Sequence, residues 1–240
     1  MQGLLLVDKP AGWTSFDVVN YVRRIVATAE GKKPKNCKVG HSGTLDPFAT
    51  GLLVLLIGKE YTRRAGELSK LDKTYEAIAE LGRVSTTGDP EGELTAYSNQ
   101  IVDPASPFTT APTTPDVERV LAQFVGEIDQ VPPAYSAIKI NGQRAYKLAR
   151  EGKDVVIESR KTTIHAIELI NYIYPDVAFR TEVSSGTYIR ALVEDFGRAL
   201  GTGAYTAELR RTRVGEYLID DAIQVEGMTP EMLAASLKDL

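Results

Sequence analysis

The amino-acid sequence predicts a mixed α/β domain, and two observations carry that prediction. Segments with the apolar spacing of helices are interleaved with short apolar or alternating segments typical of strands, and no internal repeat organises them. The chain also has 240 residues, of which 43% are hydrophobic and 25% are charged. A chain of this size and composition forms one globular unit, or one domain with an insertion, and buries a substantial core.

The first part of the chain predicts a strand followed by a helix. Residues 3–7 form a short apolar run that ends in a Lys-Pro-Ala-Gly turn, and Ser15 is a favourable N-cap for a helix. The predicted inward face of that helix comprises Phe16, Val19, Val22, Ile25 and Val26. Arg23 and Arg24 are expected to point outward, and residues 32–38 to form an exposed basic loop.

Two strands, a loop and a second helix are predicted next. Residues 52–57 are continuously apolar, as in a buried strand. Residues 75–81 nearly alternate between apolar and polar residues, as in a strand with one solvent-exposed face. Residues 103–115 are rich in Pro, Ser and Thr, which indicates a loop between two halves. Thr114 as N-cap and Pro115 in the first helical position then begin a helix. Its predicted inward residues are Val117, Val120, Leu121 and Phe124.

The second half of the chain begins with a distinct unit over residues 131–154. This unit starts with two prolines, continues through a strand-like segment over residues 137–140, turns at an Asn-Gly pair and ends in a short basic helical stretch. Two strands and a helix ended by Gly201 are predicted after it, over residues 155–170, 177–184 and 187–200.

Charge is strongly segregated along the chain. The net charge of −4 and the isoelectric point near 5.4 argue, taken globally, against a nucleic-acid partner. Residues 23–73, however, hold eleven Lys/Arg against five Asp/Glu, and residues 144–161 hold six against three. Residues 76–129 hold two Lys/Arg against ten Asp/Glu, and the tail from residue 214 holds one Lys against six Asp/Glu. The two positive segments are either ordinary solvated faces or, if they share a surface, a phosphate-binding footprint.

The composition argues against several kinds of site. No apolar run approaches the ~20 residues that span a bilayer, and the N-terminus lacks a basic leader, so we expect a cytoplasmic protein without membrane contact. The single Cys37 excludes an intramolecular disulfide, and His41 and His165 do not form a zinc-ligand cluster, so we expect no metal. Neither a dinucleotide fingerprint nor a phosphate loop is present, so we expect no cofactor.

One acidic side chain, Asp46, stands in a glycine-flanked turn directly before the apolar run. The turn covers residues 40–51 and reads GHSGTLDPFATG. Pro47 fixes its own φ and keeps Asp46 out of a helix, while the glycines permit unusual backbone angles, so the turn should hold Asp46 in one geometry. On local chemistry alone, Asp46 is either a displayed nucleophile or an ordinary turn residue whose carboxylate accepts nearby N–H groups.

The string GHSGTLDPFATG resembles the central motif of the TruB-type tRNA pseudouridine synthases, in which the aspartate of an HxGxLDP element is catalytic. Further blocks of the family pattern occur in family order. They are DKPAGWTS, KTY, VPPAYSAIK, GTYIR and LRRT, at residues 8–15, 73–75, 131–139, 186–190 and 209–212. The resemblance covers most of residues 3–215, and it favours the catalytic interpretation of Asp46.

The resemblance implies the pseudouridine synthase fold, a largely antiparallel sheet with a catalytic cleft. The catalytic domain is then expected over residues 1–222, with residues 131–154 as a thumb-like RNA-binding insertion. The implied enzyme is an isomerase that flips the T-loop uridine at position 55 of tRNA out of its stack and converts it to pseudouridine without a cofactor. We expect tRNA to bind through its T-loop and T-stem, without guide RNA, to a monomer.

The same resemblance assigns roles to individual residues. Asp46 is the expected nucleophile, Arg190 its ion-pair partner and Tyr75 a base-stacking residue implicated in proton transfer. The alternatives are a pair between Arg190 and Glu194 and a core position for Tyr75. His41 is expected near the flipped base, or else it is a plain turn histidine. The remaining expected contacts with substrate or RNA are Lys9, Lys139, Arg144, Arg150, Tyr188, Leu209, Arg210 and Arg211. Solvated surface is the alternative for the cations, and simple core is the alternative for the leucine.

Two features depart from the family pattern. About twenty-five residues follow Gly215, so residues 223–240 are expected to form a short tail in place of the separate PUA-like domain that bacterial members usually carry. Thr86 stands where an acidic residue is more common, and we expect an effect on the loop only. The rival hypotheses are a non-catalytic tRNA-binding or tRNA-folding protein, a pseudouridine synthase with another RNA target, and a glycosidase, which normally needs two paired acids.

Overall fold

The computed structural model describes residues 1–97, 111–136, 138–140, 143–145, 148 and 157–239. Over these residues the chain has a mixed α+β fold built on a large, mostly antiparallel sheet, which confirms the predicted fold class. The chain divides into two compact units, Met1–Tyr75 with Leu209–Leu240, and Glu76–Glu208.

The helices and strands of the described residues are as follows. The strands are β1 (Gly3–Lys9), β2 (Val39–His41), β3 (Thr50–Ile57), β4 (Lys73–Leu81), β5 (Arg83–Ser85), β6 (Leu94–Ala96), β7 (Gly126–Gln130), β8 (Lys139–Ile140), β9 (Gln143–Arg144), β10 (Arg160–Ile173), β11 (Asp176–Val183), β12 (Ala204–Val214), β13 (Tyr217–Leu218) and β14 (Ile223–Gln224). The helices are α1 (Ser15–Glu30), α2 (Lys59–Arg63), α3 (Ala65–Ser69), α4 (Thr114–Ala122), α5 (Ile189–Ala199) and α6 (Pro230–Ala235).

The sheet of the first unit brings the segment around Asp46 next to β12. Its strand order is β14, β1, β3, β12, and β1 pairs antiparallel with β3 along its whole length. On the other edge of β3, β2 pairs antiparallel with residues 55–57 and β12 pairs in parallel with residues 50–51. Residues 42–49 join β2 to β3. This loop therefore begins and ends at the edge of β3 that also pairs with Arg210 and Arg211 of β12.

Both faces of this sheet are buried, which explains the continuous apolar run in β3. One face packs against α1 and presents Leu5, Val7, Leu53, Leu55 and Ile57. The other face presents Leu4, Leu6, Leu52, Val54 and Leu56, and it packs with Leu68 and Val214.

Helix α1 is capped one residue earlier than predicted, and one residue of its predicted inward face is exposed. Thr14 is the N-cap and forms a capping box with Asp17. The buried side of α1 consists of Ser15, Val18, Val19, Val22, Val26 and Ala27. Placing Phe16 on the inward face was wrong, because Phe16 is 61% exposed. It lies seven residues before Arg23, on the flank of α1 rather than on the stripe that packs against the sheet.

In the second unit, the predicted strands and helices occur in the predicted order, whereas β5, β6, β7 and β12 were not predicted. Its strands are ordered β12, β4, β11, β10, β7, and β10 forms an antiparallel hairpin with β11. Thr113, not Thr114, caps α4 and forms a capping box with Asp116. Helix α5 lies within the predicted range 187–200 and buries Ile189, Ala191, Leu192, Val193 and Phe196.

Several predictions fall on residues outside the described ranges. They include most of the loop over residues 103–115, the Asn-Gly turn at residues 141–142 and most of the basic helical stretch before residue 154. Strands β8 and β9, which flank that turn in the chain, pair antiparallel. No helix among the described residues is long and apolar enough to cross a membrane.

Candidate functional site

The loop over residues 42–49 holds Asp46 between two anchored neighbours. The hydroxyl of Ser15 accepts a hydrogen bond from the Leu45 N–H at 2.8 Å and donates one to the Leu45 carbonyl at 3.1 Å. The Pro47 carbonyl accepts from the Gly12 N–H at 2.8 Å. Leu45 is buried and Asp46 is half-buried. The backbone on both sides of Asp46 is thus fixed by the DKPAGWTS segment while the carboxylate keeps some exposure.

Lys9 braces the same loop from inside the protein. Its side chain is fully buried, and its ammonium donates to the carbonyls of Pro10, Trp13 and Pro47 at 2.9, 2.6 and 3.1 Å. The expectation that Lys9 contacts phosphate on the surface does not agree with this burial. Lys9 instead ties the turn at residues 10–13 to the residue that follows Asp46.

Arg211 performs a similar task on the other side of the loop. It is 1% exposed, and its guanidinium donates to the carbonyls of Leu52 at 2.8 Å, Gly43 at 3.1 Å and Thr44 at 3.5 Å. A phosphate contact by Arg211 stays a prediction, and it would require the side chain to leave these carbonyls. Gly51 has a φ of +103° and allows the backbones of β3 and β12 to approach each other closely. A Cβ at this position would lie 2.3 Å from the Arg211 carbonyl oxygen.

Arg210 differs from Arg211 because it reaches the surface. Its guanidinium binds both carboxylate oxygens of Asp8, at 3.0 and 2.7 Å, and its side chain is 38% exposed. A phosphate contact by Arg210 stays a prediction. A phosphate would have to compete with Asp8 for the Arg210 guanidinium.

Lys73, of the KTY block, is a third buried cation of the first unit. Its ammonium donates to the carbonyls of Ser69 and Leu71. Burial, together with the nearby Arg211 guanidinium, lowers the pKa of Lys73 to about 8. Gly43 packs against both cations, since a Cβ there would lie 3.6 Å from Arg211 Nη1 and 3.7 Å from Lys73 Cε. No role for Lys73 was predicted from the sequence.

The other expected substrate contacts of the first unit are largely buried. Tyr75 in β4 and Leu209 in β12 are each 7% exposed. His41 ends β2, and its Nδ1 is buried without a hydrogen-bond partner among the described residues. Burial lowers the pKa of His41, and the charge of Arg211 lowers it further, so the imidazole is neutral at pH 7. A neutral imidazole with an open nitrogen is able to accept or donate a hydrogen bond.

Arg190 lies in the first turn of α5 in the second unit, within a buried ion pair. Its Nη1 donates to Asp89 Oδ2 at 3.0 Å and to the Thr87 carbonyl at 2.7 Å, and its Nη2 donates to the Tyr135 carbonyl at 2.8 Å. The side chains of Arg190 and Asp89 are 3% and 5% exposed. Pairing of Arg190 with Asp46 links residues of different units and stays a prediction.

Asp89, the ion-pair partner of Arg190 in the structure, was not singled out from the sequence. Its carboxylate also accepts from the Thr87 hydroxyl at 2.5 Å and from the Glu91 N–H at 3.0 Å. The available signal was the polar, glycine-containing STTGD segment, in which Thr86 was singled out instead. Glu194, the alternative partner of Arg190, is half-buried against Gly88, and this partial burial raises the pKa of its carboxyl while the charge of Arg190 opposes that rise.

The remaining expected contacts also belong to the second unit. Gln130 exchanges two hydrogen bonds with the backbone of Tyr188, which caps α5, and the Arg160 guanidinium lies 5.2 Å from the Tyr188 ring centroid. Lys139 lies in β8 and Arg144 in β9, and Arg150 lies outside the described residues, so their contacts with RNA stay predictions. The described residues contain no cluster of His, Cys, Asp and Glu that would hold a metal ion.

Two family models match the chain, one directly after the other. The model of the TruB family pseudouridylate synthase N-terminal domain matches residues 30–189, and that of the tRNA pseudouridylate synthase B C-terminal domain matches residues 190–238. A relative from Arthrobacter sp. strain FB24, named tRNA pseudouridine synthase B, is 44% identical over 97% of this chain and 72% of its own length. A relative of the same name from Flavobacterium johnsoniae is 40% identical over 92% of each chain.

Solved structures of related proteins share the fold. A chain of a Cbf5-Nop10-Gar1 complex superposes with a TM-score of 0.67 and 26% identity, over 99% of this chain and 60% of that one. A chain of an H/ACA RNP bound to a substrate RNA gives a TM-score of 0.63 and 27% identity, over 93% of this chain. The present chain thus spans about half of that solved chain, at 51%. The motif blocks, the family models and these relatives agree, and the chain belongs to the TruB family of pseudouridylate synthases.

Proposed function

We propose that this protein is an isomerase that converts the T-loop uridine at position 55 of tRNA to pseudouridine, with Asp46 as the nucleophile. The activity on tRNA is supported by the relatives at 40% and 44% identity, which are named tRNA pseudouridine synthase B. The observation that supports the site is the braced loop around Asp46, with Lys9 and Arg211 buried on either side of it.

The reaction breaks the bond between the sugar and a ring nitrogen and forms a bond between the sugar and ring carbon five of the same base. The hydrogen on that carbon leaves as a proton, and a proton is taken up at the freed nitrogen, so the reaction needs no oxidant, reductant or second substrate. What it needs is a group that captures or stabilises the separated fragments. An ionised carboxylate does so covalently or electrostatically.

The environment of Asp46 favours a fixed position for its backbone. Two buried cations donate to carbonyls of the same loop, Lys9 to Pro47 and Arg211 to Gly43 and Thr44. A backbone anchored on both sides limits the reorganisation that the reaction requires. The partial exposure of Asp46 leaves it accessible to a base that has left its stack.

The other site residues are proposed to hold the flipped base. Tyr75 stacks on the base and Leu209 packs beside it, while His41 offers a neutral imidazole to the displaced RNA. Arg190, fixed by Asp89, is proposed as the cation that faces Asp46 during the reaction. We further propose that the protein acts as a monomer on tRNA without guide RNA, in the cytoplasm.

Release of tritium from a tRNA T-loop stem-loop labelled at uridine carbon five tests the proposal. We expect release by the wild type and none by Asp46→Asn, with RNA binding preserved in both. Asp220→Asn serves as the matched control because Asp220 is exposed. Release by Asp46→Asn at the wild-type rate would disprove the role of Asp46. Binding without release by the wild type would instead support a non-catalytic tRNA-binding protein.

A further inference from the structure

An exposed aromatic ring and an open basic pocket adjoin each other on α1 of the first unit. The pocket has a volume of about 320 Å³ and lies between α1, β2 and α2. Its cations are Arg23, Lys35 and Lys38, and it is also lined by Val39 and Gly40 of β2 and by Thr62, which adds a hydroxyl group. A cavity of this size is large enough for a small ligand or a nucleotide fragment.

The positive charge of this pocket is not neutralised by carboxylates of the described part of the first unit. Lys35 and Lys38 are exposed. The salt bridges found there use other residues, such as Arg210 with Asp8 and Arg64 with Glu67. Exposed cations that converge on a concave site without acidic partners attract a polyanion, and phosphate is the anion that they fit best.

Arg23 is held in place rather than left to sample solvent. Its Nη1 donates to the Asn20 side chain at 2.8 Å and its Nη2 donates to the Val39 carbonyl at 3.2 Å. Both acceptors are neutral, so the guanidinium keeps its full charge at the wall of the pocket. Its carbon also lies 5.9 Å from the centroid of the Phe16 ring. The ring therefore adjoins the pocket and makes a cation–π contact with Arg23.

Phe16 has no structural reason to be aromatic at its position. It is 61% exposed on the flank of α1, while the buried stripe of that helix is complete without it. Exposed aromatic rings next to cations are the usual platform on which proteins stack unpaired bases of single-stranded RNA. A duplex would present phosphates to the cations but no free base to the ring.

We propose that this surface, made of Phe16, Arg23, Lys35 and Lys38, binds one unpaired nucleotide of the RNA substrate, with its base stacked on Phe16 and its phosphate in the pocket. This nucleotide is distinct from the uridine that reacts, because none of these four residues belongs to the Asp46 loop. Gly40 of the pocket directly precedes His41, so the surface lies beside the site proposed for catalysis and would fix the path of the RNA that leaves it. The inference rests on the proposed function only in taking the RNA substrate as the ligand.

Equilibrium binding of an unmodified full-length tRNA transcript tests the base contact. We expect Phe16→Ala to weaken binding about tenfold, because stacking of one base contributes on this scale, and Phe16→Trp to restore it. Leu218→Ala is the matched control, since Leu218 is an exposed apolar residue of the same unit. Equal weakening by Leu218→Ala, or wild-type binding by Phe16→Ala, would overturn the proposal.

The salt dependence of binding tests the phosphate contact. We expect the double variant Lys35→Gln/Lys38→Gln to bind more weakly and to lower the slope of log affinity against log salt by about 0.7 for each lost contact. Lys70→Gln, at another exposed lysine of the same positive segment, should leave the slope unchanged. An equal reduction in slope by Lys70→Gln would mean diffuse attraction to the whole face and would contradict a defined pocket.

Tritium release distinguishes failure of this inference from failure of the proposed function. At saturating RNA, the pocket variants should release tritium at the wild-type rate, because the surface does not touch the reacting atoms. A loss of turnover at saturation would contradict the inference. If the wild type binds but does not release tritium, the proposed function fails and the binding data still decide whether this surface holds a nucleotide.

Discussion

At the scale of single residues, the first unit is unusual in burying three cations close to one loop. Lys9, Lys73 and Arg211 are between 0 and 7% exposed, and each donates to backbone carbonyls. Burying a charge is costly unless polar groups replace its water, and carbonyl dipoles do so here. Lys9 and Arg211 bind carbonyls of the loop that carries Asp46, the proposed nucleophile, and so hold its backbone in place.

The buried pair of Arg190 and Asp89 gives a prediction for stability. Asp89→Asn removes a buried negative charge that pairs with Arg190, so we expect the free energy of unfolding to fall by on the order of 3 kcal/mol. Urea unfolding followed by circular dichroism measures this change. Glu127→Gln is the control, because its pair with Lys161 is exposed and should contribute little. Equal losses in both variants would show that burial does not strengthen the Arg190 pair.

Lys73 gives a prediction for pH dependence. Its pKa is about 8 in the folded protein and 10.5 for an unperturbed lysine side chain, so between these values the unfolded chain binds the additional proton. The contribution of Lys73 to the free energy of unfolding therefore rises with pH in this window. We expect the stability of the wild type, relative to Lys73→Met, to increase by about 2 kcal/mol between about pH 7 and pH 9.5.

Urea unfolding of both proteins at the two pH values measures this difference. Lys70→Met, at an exposed lysine, should show no such trend. A difference between wild type and Lys73→Met that does not change with pH would contradict the lowered pKa.

At the scale of elements, the position of the Asp46 loop depends on two strands, β2 and β12, which pair with the same edge of β3. β2 pairs with residues 55–57 and β12 with residues 50–51, so the loop that carries Asp46 is confined between them. The parallel pairing at residues 50–51 places the backbone of β12 directly against Gly51. Helix α1 packs on one face of these strands and provides Ser15 to the loop and Phe16 to solvent.

Gly51 gives a prediction at this scale. Gly51→Ala places a Cβ 2.3 Å from the Arg211 carbonyl oxygen at a φ of +103°, so β12 and the loop must separate. We expect a loss of at least about 2 kcal/mol in the free energy of unfolding, together with loss of tritium release. Gly66→Ala in α3 is the control, because nothing lies within 4 Å of its Cβ, and it should be neutral or slightly stabilising. Similar stabilities for the two variants would contradict the close approach of β3 and β12.

At the scale of the whole molecule, the positive and the negative side chains are concentrated in different segments of the chain. The overall charge is −4, yet the positive segment at residues 23–73 lies in the first unit, which also carries the Asp46 loop and the basic pocket. The strongly acidic segment at residues 76–129 lies in the second unit. An acidic total is therefore compatible with RNA binding, because a polyanion responds to the local potential of the surface it meets.

Local patterns predicted the longer helices and strands of both units except β12, whereas most of the short elements were not predicted. The apolar periodicity of α1 and α5 and the continuous run in β3 placed these elements to within a few residues, because period and capping depend on near neighbours. β2, by contrast, has three residues and too short a pattern to be recognised. Asp89 was missed for a related reason, since its partner Arg190 is 101 residues away in the chain.

The sequence by itself determined the fold class, the order of the main elements, the family and the displayed Asp46. Only the tertiary structure decided which charged residues serve the fold and which face solvent. Lys9 and Arg211 resemble Lys35 and Lys38 in the sequence, but the first two are buried against carbonyls of a loop that lies far from them in the chain. Phe16 resembles its apolar neighbours in the same way, yet it is exposed. Burial is set by contacts between distant segments, and a local pattern does not contain that information.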